Sequence, residues 1–258
     1  MDIATLVGIV LGLGGLLGGF MLEEGSPGML VSVSAACIVF GGTFGATILS
    51  FTLEELKTLG YFFRVVFKEE KIDYITVLDL MVATADKARR EGLLSLESSL
   101  GEIENPFLSR GLQLVIDGTD PELTRNMLEM EIEANETREK VGVEIFACMG
   151  GYAPTMGIIG TVMGLVQVLG NLSDPSKLGG AIAAAFIATL YGVASANVLW
   201  LPFSNKIKVK AEKDALLMGL ILEGVLSIQA GENPRVIREK LMTFLPPESR
   251  QAASEQEA

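Results

Sequence analysis

The chain has 258 residues, 49% of them hydrophobic, a mean hydropathy of +0.43 and a formal net charge of −12. A chain this apolar that still carries 20% charged residues must segregate the two classes, which points to a membrane. An acidic pI of about 4.6 argues against nucleic acid. The absence of histidine removes His-based triads, most catalytic zinc sites and the usual general base near neutral pH.

Four runs carry no Asp, Glu, Lys or Arg: Ile3–Leu22, Ser26–Thr52, Ile145–Ser173 and Leu178–Asn205. Each is long enough to cross a hydrocarbon core of about 30 Å, which takes about 20 helical residues. Asp2 stands where a signal peptide would carry its basic region, so the first run reads as a true span. The two cysteines, Cys37 and Cys148, lie inside these runs and read as small buried hydrophobes, with no disulfide framework.

The first two spans are separated by Glu23-Glu24-Gly25, and the last two by residues 173–177 with one lysine. Residues 53–144 hold eleven Lys and Arg, and the segment from 204 onward holds eight. Basic segments beside spans stay in the cytoplasm, so both termini and the large insert are expected inside. The expected architecture is an all-α membrane protein. Residues 1–52 carry spans one and two, 53–144 a helical cytoplasmic domain, 145–205 spans three and four, and 206–258 a helical cytoplasmic tail.

Within the insert, Leu53–Phe67 is apolar-periodic and is expected to extend the second span inward. Tyr74–Arg90 is amphipathic, Gly92 punctuates it, and Leu93–Leu100 restarts as helix. Asn105-Pro106 begins a helix ended by Asp117-Gly118, and Asp120-Pro121 starts another. No breaker follows until Gly142, so the acidic run Glu129–Glu144 leads directly into the third span. Its charges read as a solvated helix face. No Rossmann pattern, P-loop or metal-spaced cysteine pair occurs, and no nucleophile–base pair suggests an enzyme.

Small residues recur four apart in every span, as in Gly8/Gly12, Gly14/Gly18, Gly41/Gly45, Gly160/Gly164 and Gly192/Ala196. Such spacing lets helices approach closely in lipid, within one chain or between copies. The spans hold no ionisable residue, only hydroxyls and amides such as Thr155, Thr161, Gln167, Thr189, Ser195 and Asn197. A chain moving a cation with this inventory needs a carboxylate from a partner. A hydroxyl such as Thr161 can equally back-bond to a carbonyl one turn earlier. Pro154 and Pro202 near the cytoplasmic ends of spans three and four are static kinks or hinges.

The run Ala153-Pro154-Thr155-Met156-Gly157-Ile158-Ile159-Gly160-Thr161-Val162-Met163-Gly164-Leu165 resembles the third-span signature of the MotA/PomA family of flagellar stator proteins. Ala188-Thr189-Leu190-Tyr191-Gly192 followed by Pro202 resembles their fourth span, and the layout matches along the whole chain. The resemblance implies a ring of five copies around two MotB-type partners, each supplying an intramembrane Asp. It implies H⁺ or Na⁺ as the transported ion, with no bound cofactor or metal. The family's functional prolines fall on Pro154 and Pro202, and its ion-path hydroxyls on Thr161 and Thr189. Its charges facing the rotor protein FliG fall on Arg89 or Arg90 and on Glu97. The location implied is the bacterial cytoplasmic membrane. An ExbB/TolQ-like energising subunit is the alternative, although such proteins normally have three spans.

Overall fold

The computed structural model describes residues 2–69, 73–170, 175–245 and 250, and among them every regular element is helical. Four helices are long and apolar enough to cross a membrane: Ile3–Leu22, Val33–Ser50, Pro121–Gly170 and Leu178–Gln229. The described chain forms two compact units, one from Met1–Glu70 and Glu139–Val209, the other from Lys71–Arg138 and Lys210–Ala258.

The first unit opens with α1 (Ile3–Leu22), whose N-cap Asp2 accepts from Thr5 N–H at 3.2 Å. The same carboxylate meets Lys206 Nζ at 2.5 Å, and Asp2 N–H donates to the Phe67 carbonyl. One residue therefore fastens the start of α1 to two other elements. After a 3₁₀ turn at Pro27–Leu30, α2 (Val33–Ser50) begins at N-cap Ser32. Tyr191 Oη accepts from Ser32 N–H at 3.2 Å and donates to the Leu30 carbonyl at 2.6 Å. Within α2, Cys37–Gly41 is a π turn.

The second span does not continue inward. Phe51 is extended, and Thr52 opens a new helix, α3 (Leu53–Lys57), through a reciprocal capping box with Glu55. Thr52 N–H donates to Glu55 Oε2 at 2.8 Å, while Glu55 N–H donates to Thr52 Oγ1 at 3.3 Å. That box satisfies two free donors at once, so a restart is favoured over continuation of one helix. Glu55 sits below the ordinary carboxylate range because Thr52 N–H and then the Thr52 hydroxyl stabilise its charge. Helix α4 (Leu59–Phe67) then buries Phe62 and Val66. Contact groups both short helices with the spanning unit, away from the rest of the insert.

The core of this unit is aromatic. Phe146 stacks on Trp200 and meets Phe63 and Phe203 edge-on at 5.2 and 5.8 Å between centroids. Offset and edge-on arrangements are the ones that ring quadrupoles favour. Cys37 is exposed and Cys148 half-buried, against the expectation of burial. An apolar position in a span is covered by lipid as readily as by protein, so hydrophobicity did not report burial here. No residue of α1 is buried, and side chains built at Gly8, Gly14, Gly15, Gly18 or Gly19 would meet nothing within 4 Å.

The second unit holds α5 (Tyr74–Glu91), a 3₁₀ helix (Leu93–Glu102) where a helix was expected to restart, α6 (Pro106–Ile116) and the start of α7 (Pro121–Gly170). Asn105 caps α6 through Leu108 N–H at 3.1 Å, and Gly118 at φ +71° ends the turn after it. Helix α7 runs unbroken for 50 residues, so the acidic run does continue into the third span. Helix α8 comprises Pro175–Ser195, a π turn Ala196–Trp200 and Leu201–Gln229, and α9 is Pro234–Met242. The core is aliphatic, with Leu78, Met81, Leu108, Leu112, Leu128, Leu220, Val225 and Leu241 buried together. Glu223 is clamped by Arg125 Nη1 and Lys240 Nζ, each at 3.1 Å. Of the short loop expected at 173–177, residues 175–177 are instead the first turn of α8, while 173 and 174 and most of the tail beyond 245 lie outside the described residues.

Candidate functional site

A close helix–helix approach joins α7 to the Pro175–Ser195 part of α8. A side chain built on Gly157 would lie 2.8 Å from the Ala188 carbonyl, and one on Gly192 2.4 Å from the Ala153 carbonyl. Gly160 and Gly164 would meet the Cβ atoms of Ala188 and Ala185 at 2.7 and 2.6 Å. The obstacles at Gly157 and Gly192 are backbone, which cannot step aside. Only glycine permits this spacing, as small-residue packing in lipid requires.

That approach brings the two threonines together. Thr161 Oγ1 lies 2.5 Å from Thr189 Oγ1, 2.9 Å from the Ala185 carbonyl and 3.1 Å from the Gly157 carbonyl. Thr189 Oγ1 lies 3.5 Å from the Gly157 carbonyl. The back-bond of Thr161 within its own helix is thus present, beside a contact across to α8. Two hydroxyls carry only two protons between them, so four oxygens compete for two donors. Both side chains are half-buried, which leaves the cluster open on one side. An uncharged group of convergent oxygens can solvate a cation or its hydration water, yet it supplies no counter-charge. The carbonyl members, Gly157 and Ala185, were not singled out from sequence. Their nearest signal was the glycine repeat beside Thr161.

Three of the other hydroxyls and amides are satisfied locally. Thr155 donates to the Tyr152 carbonyl, Ser195 to Gly192 and Asn197 to Val193, all one turn back. They do not join the threonine pair. No group of three metal-ligating side chains occurs among the described residues.

Pro154 is half-buried in α7, one residue past Ala153, whose carbonyl abuts Gly192. Its ring removes one intrahelical bond, yet α7 stays continuous through it. Pro202 is exposed and lies one residue beyond the end of the π turn, after Leu201. There Leu201 N–H bonds back to the Ala196 carbonyl five residues earlier. A π turn just before a proline absorbs the carbonyl that the ring would otherwise strike.

The charged candidates lie at the corner between α5 and the 3₁₀ helix. Gly92 makes the corner at φ +85°, ψ 160°, a region almost closed to other residues. Arg89, Arg90 and Glu97 are all exposed there. Arg90 Nη2 is engaged by Asp86 on its own helix at 2.9 Å. Arg89 and Glu97 form no ion pair among the described residues, so the corner presents both signs of charge outward.

Comparison with known proteins fits this geometry. Residues 6–92 match the Motility protein A N-terminal family, and residues 99–219 the MotA/TolQ/ExbB proton channel family. Motility protein A of Bacillus subtilis is 39% identical over 99% of this chain and 95% of its own. The chain belongs to the MotA/PomA family of flagellar motor stator proteins.

Chemotaxis protein PomA of Vibrio alginolyticus is 37% identical over 95% of this chain and 96% of its own. The flagellar MotAB stator complex from Bacillus subtilis contains a chain that superposes with a TM-score of 0.90 at 40% identity. That match covers 96% of this chain and 98% of the other. A membrane protein of a stator and channel family, not of an enzyme class, is the result. The N-terminal match includes both first spans and reaches Arg89 and Arg90, which sets the chain apart from the ExbB/TolQ alternative.

Proposed function

We propose that this chain is the ring-forming subunit of a flagellar stator that conducts H⁺ or Na⁺ along the α7–α8 face. The observation that carries this reading is the paired hydroxyls of Thr161 and Thr189 beside two carbonyls, in spans with no ionisable residue. Such a half-site needs a counter-charge, and a MotB-type single-span partner bearing an intramembrane Asp supplies it. Five copies around two partners, in the bacterial cytoplasmic membrane with both termini inside, is the assembly expected. The open glycine face of α1 suits contacts beyond one chain.

In this mechanism the ion passes between the partner's Asp and the threonine oxygens, and its charge is neutralised and restored once per transfer. Each transfer changes how strongly the Asp is held against α7 and α8. Pro154 and Pro202 are the points where those helices bend with least loss of hydrogen bonding. The cytoplasmic corner with Arg89, Arg90 and Glu97 pushes on the rotor protein FliG. The test is ion flux into vesicles containing the chain with and without its partner. Partner-dependent flux is expected, and robust conduction by the chain alone overturns the reading.

A further inference from the structure

A groove of about 330 Å³ runs lengthwise between α1 and the part of α8 around its π turn. Ala4, Gly8 and Gly12 line it from α1, and Val198, Pro202 and Lys206 from α8, each row spaced four residues apart. Both ends of the groove are fastened. At one end Asp2 holds Lys206 Nζ at 2.5 Å and donates its N–H to the Phe67 carbonyl at 2.9 Å. At the other, a side chain built on Gly12 would lie 2.9 Å from Val198 Cγ1. Between them, a side chain built on Gly8 would meet nothing within 4 Å. The two helices are already in contact at both ends, so leaning together does not close the gap.

The gap lies in hydrocarbon. Its stretch of α1 falls in the uncharged run Ile3–Leu22 and most of its stretch of α8 in Leu178–Asn205, with the Asp2–Lys206 pair marking the boundary. A void there forfeits the dispersion contacts of the atoms that line it. Water is a poor filler, because it needs about two to four polar partners. The polar side chains of the lining are engaged already: Thr5 with the Val66 carbonyl at 3.4 Å, Asn197 with the Val193 carbonyl at 2.8 Å, and Lys206 with Asp2. Each row rises about 12 Å from end to end, so 330 Å³ leaves a channel about 6 Å across. An α-helix, about 10 Å wide, does not enter it, and one side chain inserted crosswise fills only part of its length. A single extended hydrocarbon chain matches both dimensions.

We propose that this groove is a binding site for one acyl chain of a bilayer phospholipid, seated lengthwise with its headgroup beside the Asp2–Lys206 pair. The chain lies against Pro202, so lipid rather than protein is the neighbour of that point of α8. The inference goes beyond the proposed stator function and does not require it.

The full chain with its MotB-type partner is reconstituted in bilayers containing a phosphatidylethanolamine with a photoreactive group along one acyl chain. The complex is then extracted, washed in detergent to strip loosely held lipid, and irradiated, and the labelled residues are mapped by peptide mass spectrometry. Val198 and Phe203, which line the groove, are expected to keep at least ~10-fold more label than Val10 and Leu11. Those two are exposed on the same α1 and serve as the reference for ordinary lipid contact. Gly8→Phe fills the groove from its open side, without overpacking, and should abolish the retained label while complex yield is unchanged. Ala4→Phe blocks the same groove one turn nearer its charged end and replaces Gly8→Phe if that variant does not assemble. Label lost from Val198 and Phe203 as readily as from Val10 and Leu11 overturns the site, as does label unchanged by filling the groove. Capture of a second copy of this chain by a photo-crosslinking residue at position 8 overturns it as well. None of these readouts uses ion flux or torque, so the stator reading stands or falls separately.

Discussion

Thr161 on α7 and Thr189 on α8 place their hydroxyl oxygens 2.5 Å apart, with the Gly157 and Ala185 carbonyls within 3.1 Å of Thr161. Neither residue needs the other to fold, because each helix satisfies its own backbone. Interhelical hydrogen bonds in lipid contribute only about 0.6 kcal/mol on average. Thr161→Ala and Thr189→Ala are therefore expected to leave complex yield nearly unchanged while lowering flux or altering ion selectivity. Flux per complex, measured in Na⁺ and across pH, checks this. Lower yield with unchanged flux per complex would make the threonines structural.

The glycines that create this contact behave differently. A Cβ at Gly192 would sit 2.4 Å from the Ala153 carbonyl, so α7 and α8 must part to admit it. Gly192→Ala is expected to cost about 1–3 kcal/mol, the usual penalty for overpacking. Thermal unfolding of the purified chain should report it. Gly8→Ala on α1 meets nothing within 4 Å and should leave the unfolding of the isolated chain unaltered. Loss of ring assembly in Gly8→Ala, with normal unfolding, would place α1 at a contact between copies.

The spans and the single long α7 were legible because each follows from one physical rule, the exclusion of charge from hydrocarbon or the absence of a breaker. The restart at Thr52 was missed, although Thr52-Leu53-Glu54-Glu55 carries the capping-box pattern. The apolar period on both sides masked it. Thr161 and Thr189 were singled out through the family resemblance. The carbonyls joining them depend on how α7 and α8 pack, and nothing local encodes that. The π turns in α2 and α8 were equally invisible, since their sequences are ordinary apolar helix.

Glu223 lies in the part of α8 beyond the uncharged run, among Arg125 and Lys240. Burial alone would raise its pKa, but hydrogen bonds from Lys240 and Arg125 prevail and lower it below the usual 4.5. A carboxyl with a depressed folded pKa adds stability above its unfolded pKa, and that stability is lost as pH falls through the folded value. Hydrogen exchange of α9 in the full chain should therefore accelerate as pH drops below about 4.5, after correction for intrinsic exchange. In Glu223→Gln that extra acceleration should vanish and α9 should exchange faster at neutral pH. An identical pH profile in both chains would show that the cluster does not hold α9.

Arg89 and Arg90 are adjacent at the end of α5 and equally exposed, yet their surroundings differ. Arg90 shares its charge with Asp86 at 2.9 Å, whereas Arg89 has no carboxylate partner among the described residues. An exposed i,i+4 pair contributes only about 0.3–0.5 kcal/mol, so reversing either arginine should not disturb folding. A partner approaching Arg90 must still compete with Asp86, while Arg89 offers a full charge. Arg89→Glu is therefore expected to reduce torque more than Arg90→Glu, and Glu97→Lys should restore part of it if one acidic and one basic rotor residue face the corner. The corner depends on Gly92, whose φ of +85° an alanine would hold only at about 1–3 kcal/mol of strain. Gly92→Ala should thus impair torque while partner-dependent ion flux persists, since its strain falls in the insert. Torque on tethered cells, beside flux in vesicles, separates these outcomes. Equal loss from Arg89→Glu and Arg90→Glu would show that the Asp86 pair does not set which arginine meets the rotor.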